Sequence, residues 1–207
     1  MINEKLINPE SIVVIGGSED LFKPGGKILK NIIDGNYSGN LYVVNPGHDS
    51  VQGIKSYRNL TDLPQVDLAI LAIQSKYCLP VVEILLKEKN TGAFIIISAG
   101  FSEVGEEGWK LETVIAGLIN EAGGTLIGPN CIGVISRFYN GIFTTPVPRL
   151  SNNGCDFVSG SGATAVFIFE SAIPKGINFS SFYSVGNSAQ TGVEEILEYW
   201  DKTFDLA

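Results

Sequence analysis

Histidine is nearly missing from this 207-residue sequence, which has His48 and no other. A serine–histidine–acid triad would therefore have to borrow its imidazole from the loop that holds His48, far from any serine loop of the second half. Cysteine is scarce as well. Cys78, Cys131 and Cys155 stand far apart with no CxxC spacing, which fits reduced thiols and excludes a disulfide framework or a zinc site of the usual spacing. Charged residues make up 17% of the chain, and the net charge is -8 with no basic stripe, so a nucleic-acid partner is not expected. No apolar run approaches the ~20 residues of a membrane helix. One such run, Phe94-Ile95-Ile96-Ile97, has the length of a buried strand. No apolar signal segment opens the chain, so the expected location is the cytoplasm. Walker A, GxGxxG and GxSxG patterns are also absent, as are internal repeats and low-complexity segments.

What is present is a rhythm of short apolar runs and amphipathic stretches, in a chain whose 44% hydrophobic content is enough for a real core. Ser11–Ile15, Leu41–Val44, Val66–Ile73, Ala93–Ser98 and Thr125–Ile127 read as strands, each closed by glycine, proline or small polar residues. Between them, Ile28, Leu29, Ile32 and Ile33, then Val81, Val82, Leu85 and Leu86, recur at helical spacing, and a further helix runs through Leu118-Ile119. Strands apolar on both faces and separated by helices predict a doubly wound parallel sheet, a Rossmann-like α/β domain over 1–149 that ends at the Pro146-Val147-Pro148 punctuation. A second unit, 150–207, reads strand (Cys155–Ser159), helix (Ala163–Ala172), strand (Asn178–Val185), helix (Thr191–Trp200). Two parallel strands seldom make a sheet alone. This stretch is therefore expected to be the start of a second α/β domain, with an exposed edge after Asn178–Val185 that would favour a further strand or a partner, a second copy included.

In a doubly wound sheet, ligands sit beyond the carboxyl ends of the strands. The loops there are Gly16-Gly17-Ser18, Asn45-Pro46-Gly47, Ile73-Gln74-Ser75-Lys76, Ser98-Ala99-Gly100-Phe101 and Gly128-Pro129-Asn130. A nicotinamide or flavin dinucleotide would need GxGxxG and an acid at the end of the second strand, where this chain has Val44-Asn45-Pro46. An NAD-dependent oxidoreductase thus remains only as a minor alternative. In the second unit, Ser159-Gly160-Ser161-Gly162-Ala163 joins a strand to a helix and presents N–H groups and hydroxyls at a positive helix end, a natural seat for phosphate whatever the net charge of the whole chain.

Several of these segments carry a resemblance. Gly16-Gly17-Ser18, the stretch from Asn45 to Tyr57, Val66–Leu71, Ile95–Glu112 and Ile127–Gly133 resemble the CoA-binding domain of ADP-forming acetyl-CoA synthetases, and Val158–Ala163 and Phe182–Ala189 resemble the start of that family's next, succinyl-CoA synthetase-like flavodoxin domain. SAGF…EEG followed by IGPN is the specific pairing. The resemblance implies an NDP-forming acid–CoA ligase working through an acyl phosphate and a phosphohistidine. It places coenzyme A against Gly16, Gly17, Ser18, Asn45, Pro46, Ile73, Ser98, Ala99, Gly100 and Asn130, and phosphate against Ser159, Ser161 and Gly162. It assigns no catalytic residue to this chain. The family's phosphorylated histidine lies in a segment downstream of the Val-Gly-Asn strand end, and a nucleotide-grasp domain or β subunit supplies the nucleotide site. His48 falls in a loop where the family varies. Gly160 stands where relatives usually carry glutamine. A non-catalytic CoA-binding regulatory module, as in domains fused to protein acetyltransferases, is the alternative from another class.

Overall fold

The computed structural model describes residues 2–203. A one-turn helix α1 (Glu4–Ile7) leads into β1 (Ser11–Ile15), whose five residues are all buried. α2 (Pro24–Asp34) follows and stops at Gly35, then come β2 (Asn40–Val44), a tight hairpin of β3 (Ser50–Val51) and β4 (Ile54–Tyr57), and β5 (Leu68–Leu71). α3 (Cys78–Lys89), β6 (Ala93–Ile96), α4 (Glu106–Glu121) and β7 (Thr125–Ile127) complete the first unit. These form a seven-stranded sheet in the order β3-β4-β2-β1-β5-β6-β7, parallel throughout except for β3 on β4. Without the hairpin the order is 2-1-3-4-5 in the expected strands. With β4 added beside β2 it becomes the six-strand dinucleotide-type order, whose switch point lies between β1 and β5.

The two-residue period of a strand decides which face each side chain serves. Ile12 and Val14 pack with Ile28, Leu29 and Ile32 of α2, while Val13 and Ile15 pack with Val82 and Leu85 of α3 and Ile115 and Ile119 of α4. This is why the strands read as continuous apolar runs instead of alternating ones.

The second unit differs from its expected form. β8 (Gly133–Ile135), β9 (Asn140–Ile142), β10 (Leu150–Ser159) and β11 (Phe179–Ser184) build a four-stranded sheet in the order β10-β11-β8-β9. β11 runs parallel to β10 and antiparallel to β8, with Phe182 opposite Ile135 and Tyr183 opposite Val134. The edge expected after Asn178–Val185 is therefore covered, because a hairpin from before Arg149 pairs with it. Among the described residues the edge strands of this sheet are β10 and β9. That hairpin was unreadable locally, being two three-residue strands with a glycine in each.

One face of this sheet packs on α5 (Gly162–Ala172). There Phe157, Phe169, Phe179 and Phe182 meet with ring centroids 4.9–6.1 Å apart, so four aromatic rings form the centre of a small core that also holds Ile132, Ile135 and Ile142. The other face carries α6 (Val193–Thr203) and lies against the first sheet, with Val134, Tyr183, Val185 and Ile196 in the same apolar cluster as Ile95, Ile97 and Ile127. Asn31 of α2 anchors the hairpin, its Nδ2 donating to Ile142 O at 2.7 Å.

Candidate functional site

The site is built around the end of β1. Gly16 has φ +86°, and a Cβ there would lie 2.6 Å from Ala72 O and 2.9 Å from Ile73 Cγ2. Only glycine allows the β1 end to close on the β5 end at the switch point. The start of α2 then packs directly on this turn, since a Cβ on Gly25 would sit 2.1 Å from Gly16 O. The string KPGG thus does the work of close helix–strand approach that the third glycine performs in a dinucleotide fingerprint. Nothing local in the sequence singles out Gly25, because its spacing from Gly16 does not match the dinucleotide fingerprint.

Polar side chains fix the surrounding loops. Asn45 donates from Nδ2 to Gly17 O at 2.8 Å and accepts from Gly47 N at 2.9 Å, stapling the second strand-end loop to the first. Gln52, at the tip of the β3–β4 hairpin, donates to Ser18 O (2.8 Å) and Gly26 O (2.9 Å), a role the sequence gave no means to foresee. Gly17 is buried against Val43, Ser18 Oγ accepts from Asp20 N at 3.1 Å, and Ser98 Oγ donates to Ile73 O. The Gly100 N–H donates to Glu103 Oε1.

Two cavities flank the Gly16 turn. One, about 540 Å³, lies where the two units meet and is lined by Ser98, Ala99 and Asn130 of the first and by Gly160, Ser161 and Gly162 of the second, with an apolar wall that includes Ile132 and Phe143. The other, about 490 Å³ and largely apolar, is lined by Gly16, Pro46 and Ile73 together with Val44, Arg58 and Tyr77. The predicted CoA residues are thus divided. Ser98, Ala99 and Asn130 line the first cavity and Gly16, Pro46 and Ile73 the second, while Gly17, Ser18, Asn45 and Gly100 border neither and act on loop shape. Ala72 lines the first cavity and its neighbour Ile73 the second, so the Gly16–Ala72–Ile73 contact forms the neck between them.

Ser161 is the N-cap of α5, its Oγ accepting from Thr164 N at 3.3 Å and from the Thr164 hydroxyl at 3.1 Å. Ser159 Oγ accepts from Ser161 N at 3.1 Å and donates to Ser161 O at 2.9 Å, which makes a tight turn before the helix. The first N–H groups of a helix have no intrahelical acceptor, and those of Gly162 and Ala163 belong to residues that line the first cavity. Cys131 lines the same cavity, but burial pushes its thiol up to about 12, so it is a neutral wall residue and not a nucleophile. His48 is exposed on the loop after β2 and lines neither cavity. No cluster of metal-ligating side chains occurs among the described residues, and no helix there is long and apolar enough to cross a membrane.

A latch closes the site from the second unit. After β11, Asn187 N donates to Pro129 O at 2.9 Å, and its Nδ2 lies 2.7 Å from Glu103 Oε2 and 2.9 Å from Glu112 Oε2. Asn130 Nδ2 donates to Asn187 Oδ1 at 3.2 Å. Burial raises the Glu103 carboxyl, but the Asn187 amide and the N–H groups of Gly100 and Phe101 outweigh it and hold the group below its ordinary value. The Val-Gly-Asn strand end carries no role that its local sequence reveals. Its role is to bind the two units together beside the first cavity.

Comparison with known proteins agrees with this arrangement. Residues 10–137 match the family described as CoA binding domain, and 152–205 match the succinyl-CoA ligase like flavodoxin domain. The chain belongs to the CoA-binding domain family. Coenzyme A is accordingly the cofactor of this domain, and a flavodoxin-like unit follows it in the expected order. The α subunit of acetate–CoA ligase [ADP-forming] II from Pyrococcus furiosus is 36% identical over 195 residues, covering 93% of this chain and 42% of that protein. A trans-feruloyl-CoA synthase from an unknown prokaryotic organism is 35% identical over 202 residues, covering 95% of this chain and 28% of that protein. Among solved structures, the dinucleotide forming acetyl-coenzyme A synthetase 1 of Ca. Korarchaeum cryptofilum, in complex with phosphate and ADP, superposes with a TM-score of 0.88 at 32% identity over 96% of this chain and 42% of its own. The chain thus spans less than half the length of these relatives.

Proposed function

We propose that this chain is the CoA-binding portion of an NDP-forming acid–CoA ligase, which interconverts acyl-CoA, NDP and phosphate with acid, CoA and NTP. The observation that carries this reading is the shared cavity at the junction of the two units, where CoA-type loops and a phosphate-type helix start face the same space. Phosphate attack on the thioester carbonyl forms an acyl phosphate and releases CoA as its thiol. The phosphoryl group then passes to a histidine, freeing the acid, and from there to the nucleotide. In this scheme the residues of the chain bind and orient. Ser98, Ala99 and Asn130 border the thiol end, and the N–H groups of Gly162 and Ala163 face charge on the phosphoryl oxygens. The histidine-bearing segment and the nucleotide-grasp part are supplied from outside these residues, in keeping with two relatives that are named α subunits, and the setting is the cytoplasm. The regulatory alternative gives no reason for a phosphate-type helix start on the CoA cavity.

Titration calorimetry with CoA and NADH tests the reading. Binding of CoA is expected, and tighter binding of NADH overturns it. Incubation of this chain alone with labelled acetyl phosphate is expected to leave no acid-labile, base-stable label, because His48 lies outside both cavities. Label that disappears in His48→Ala would reverse that assignment.

A further inference from the structure

The two cavities differ in charge. The junction cavity has no lysine, arginine or histidine among its lining residues, whereas the apolar one is lined by a single charged side chain, Arg58. The walls of the latter, among them Ile15, Val44, Leu60 and Val81, suit a flat heteroaromatic ring, and Tyr77 stands half-exposed beside them. Coenzyme A has matching asymmetry. Its nucleotide end carries adenine and a phosphate on the ribose 3′-oxygen, and its thiol end is neutral. A ligand threaded past the Gly16 neck therefore places its nucleotide end in the apolar cavity, where Arg58 stands.

Arg58 already has a partner. Its Nε donates to Asp49 Oδ1 at 3.0 Å, and Nη2 lies 3.0 Å from the same oxygen, so two nitrogens share one acceptor. Both side chains are open to solvent, 61% for Arg58 and 86% for Asp49, and such a pair is weak in water. A phosphate offers several oxygens and two charges to the same planar fork. The neighbouring cations are otherwise engaged, with Lys55 over the Tyr57 ring at 4.6 Å and Lys76 over the Tyr77 ring at 4.8 Å.

We propose that Arg58 reads the 3′-phosphate of coenzyme A, and that Asp49 holds the guanidinium at the cavity rim until the ligand takes it. This rests on the CoA reading above and adds a specificity-determining pair to it. Asp49 follows β2 and Arg58 follows β4, and the β3–β4 hairpin between them, pinned by Gln52, brings them together.

The test compares CoA with 3′-dephospho-CoA by calorimetry on the intact chain, Arg58→Gln and Asp49→Asn. The unaltered protein is expected to prefer CoA by about tenfold, the size of a charge-assisted contact at a partly exposed site. Arg58→Gln should erase that preference by weakening CoA more than dephospho-CoA, and an unchanged circular dichroism spectrum and melting temperature show that the variant is folded. Asp49→Asn should widen the preference by about twofold to threefold, as expected from removing a weak surface competitor. Raising salt should narrow the preference in the unaltered protein. Equal loss of both ligands in Arg58→Gln, or no preference in the unaltered protein, overturns the assignment while leaving the CoA reading intact. Failure of both ligands to bind the unaltered protein would instead remove that reading and this one together.

Discussion

Two glycine turns lead from a strand into a helix in this molecule, and they are held in opposite ways. At the first, Gly16 and Gly25 lie so close that added Cβ atoms would meet backbone oxygens at 2.6 and 2.1 Å. At the second, a Cβ on Gly160 would meet nothing within 4 Å, and one on Gly162 would meet only the side chain of Ile132, at 2.4 Å. The first turn is a rigid wall whose shape comes from backbone packed on backbone. The second is an open rim whose geometry comes from hydroxyls, and it is tied to the first unit through Asn187. The difference separates a loop whose glycines are demanded by the fold from one whose residues are free to answer to a ligand.

Gly25→Ala should strike hardest, because the Gly16 carbonyl cannot yield without moving β1. A loss of ~3 kcal/mol in denaturant unfolding is expected, with CoA binding lost in parallel. A smaller loss would mean that the first turn is more pliant than its contacts imply.

Asn187→Ala comes next. Removing one amide takes a side-chain donor from both Glu103 and the buried Glu112 and leaves them only backbone N–H partners, at a cost of ~2 kcal/mol. Hydrogen exchange should rise in β11 and α6 and stay flat in β1 and β5. The pH dependence sharpens this test. Glu103 is held below its ordinary value in the folded state, so its contribution is fully present above the unfolded value and is lost as pH falls through the lowered folded one. The variant should show a shallower loss of stability on the acid side, by urea titration from neutral pH downward.

Ser161→Ala removes the cap of α5 and should cost ~1 kcal/mol. Binding of inorganic phosphate should weaken in the same variant, since the turn that presents the Gly162 and Ala163 N–H groups would loosen. Gly160→Gln is expected to change stability by less than ~0.5 kcal/mol, because the site is open. A drop as large as that from Gly25→Ala would abolish the contrast between the two turns.

Much of this was legible beforehand for a definite reason. Strands buried on both faces leave unbroken β-branched runs, as in Ser11–Ile15, and a parallel sheet follows from the helices between them. Glycine, proline and asparagine at the strand ends marked the loops that surround the cavities. The specific pairing SAGF…EEG with IGPN pointed to the family, and with it to coenzyme A.

What the amino-acid order determined by itself, then, was the sequence of elements, the parallel sheet and the set of strand-end loops, because periodicity and turn chemistry act over a few residues. Only the tertiary structure decided that β8 and β9 complete the second sheet, that Asn45 and Gln52 brace loops instead of lining a cavity, and that the predicted CoA residues divide between two spaces. Each of these depends on partners far away in sequence. Asn187 meets Glu112 across 75 positions and Gln52 meets Ser18 across 34, and β8 is too short to be recognised until β11 supplies its register. A side-chain amide bonds to whatever the fold brings within 3 Å, and no local pattern records that.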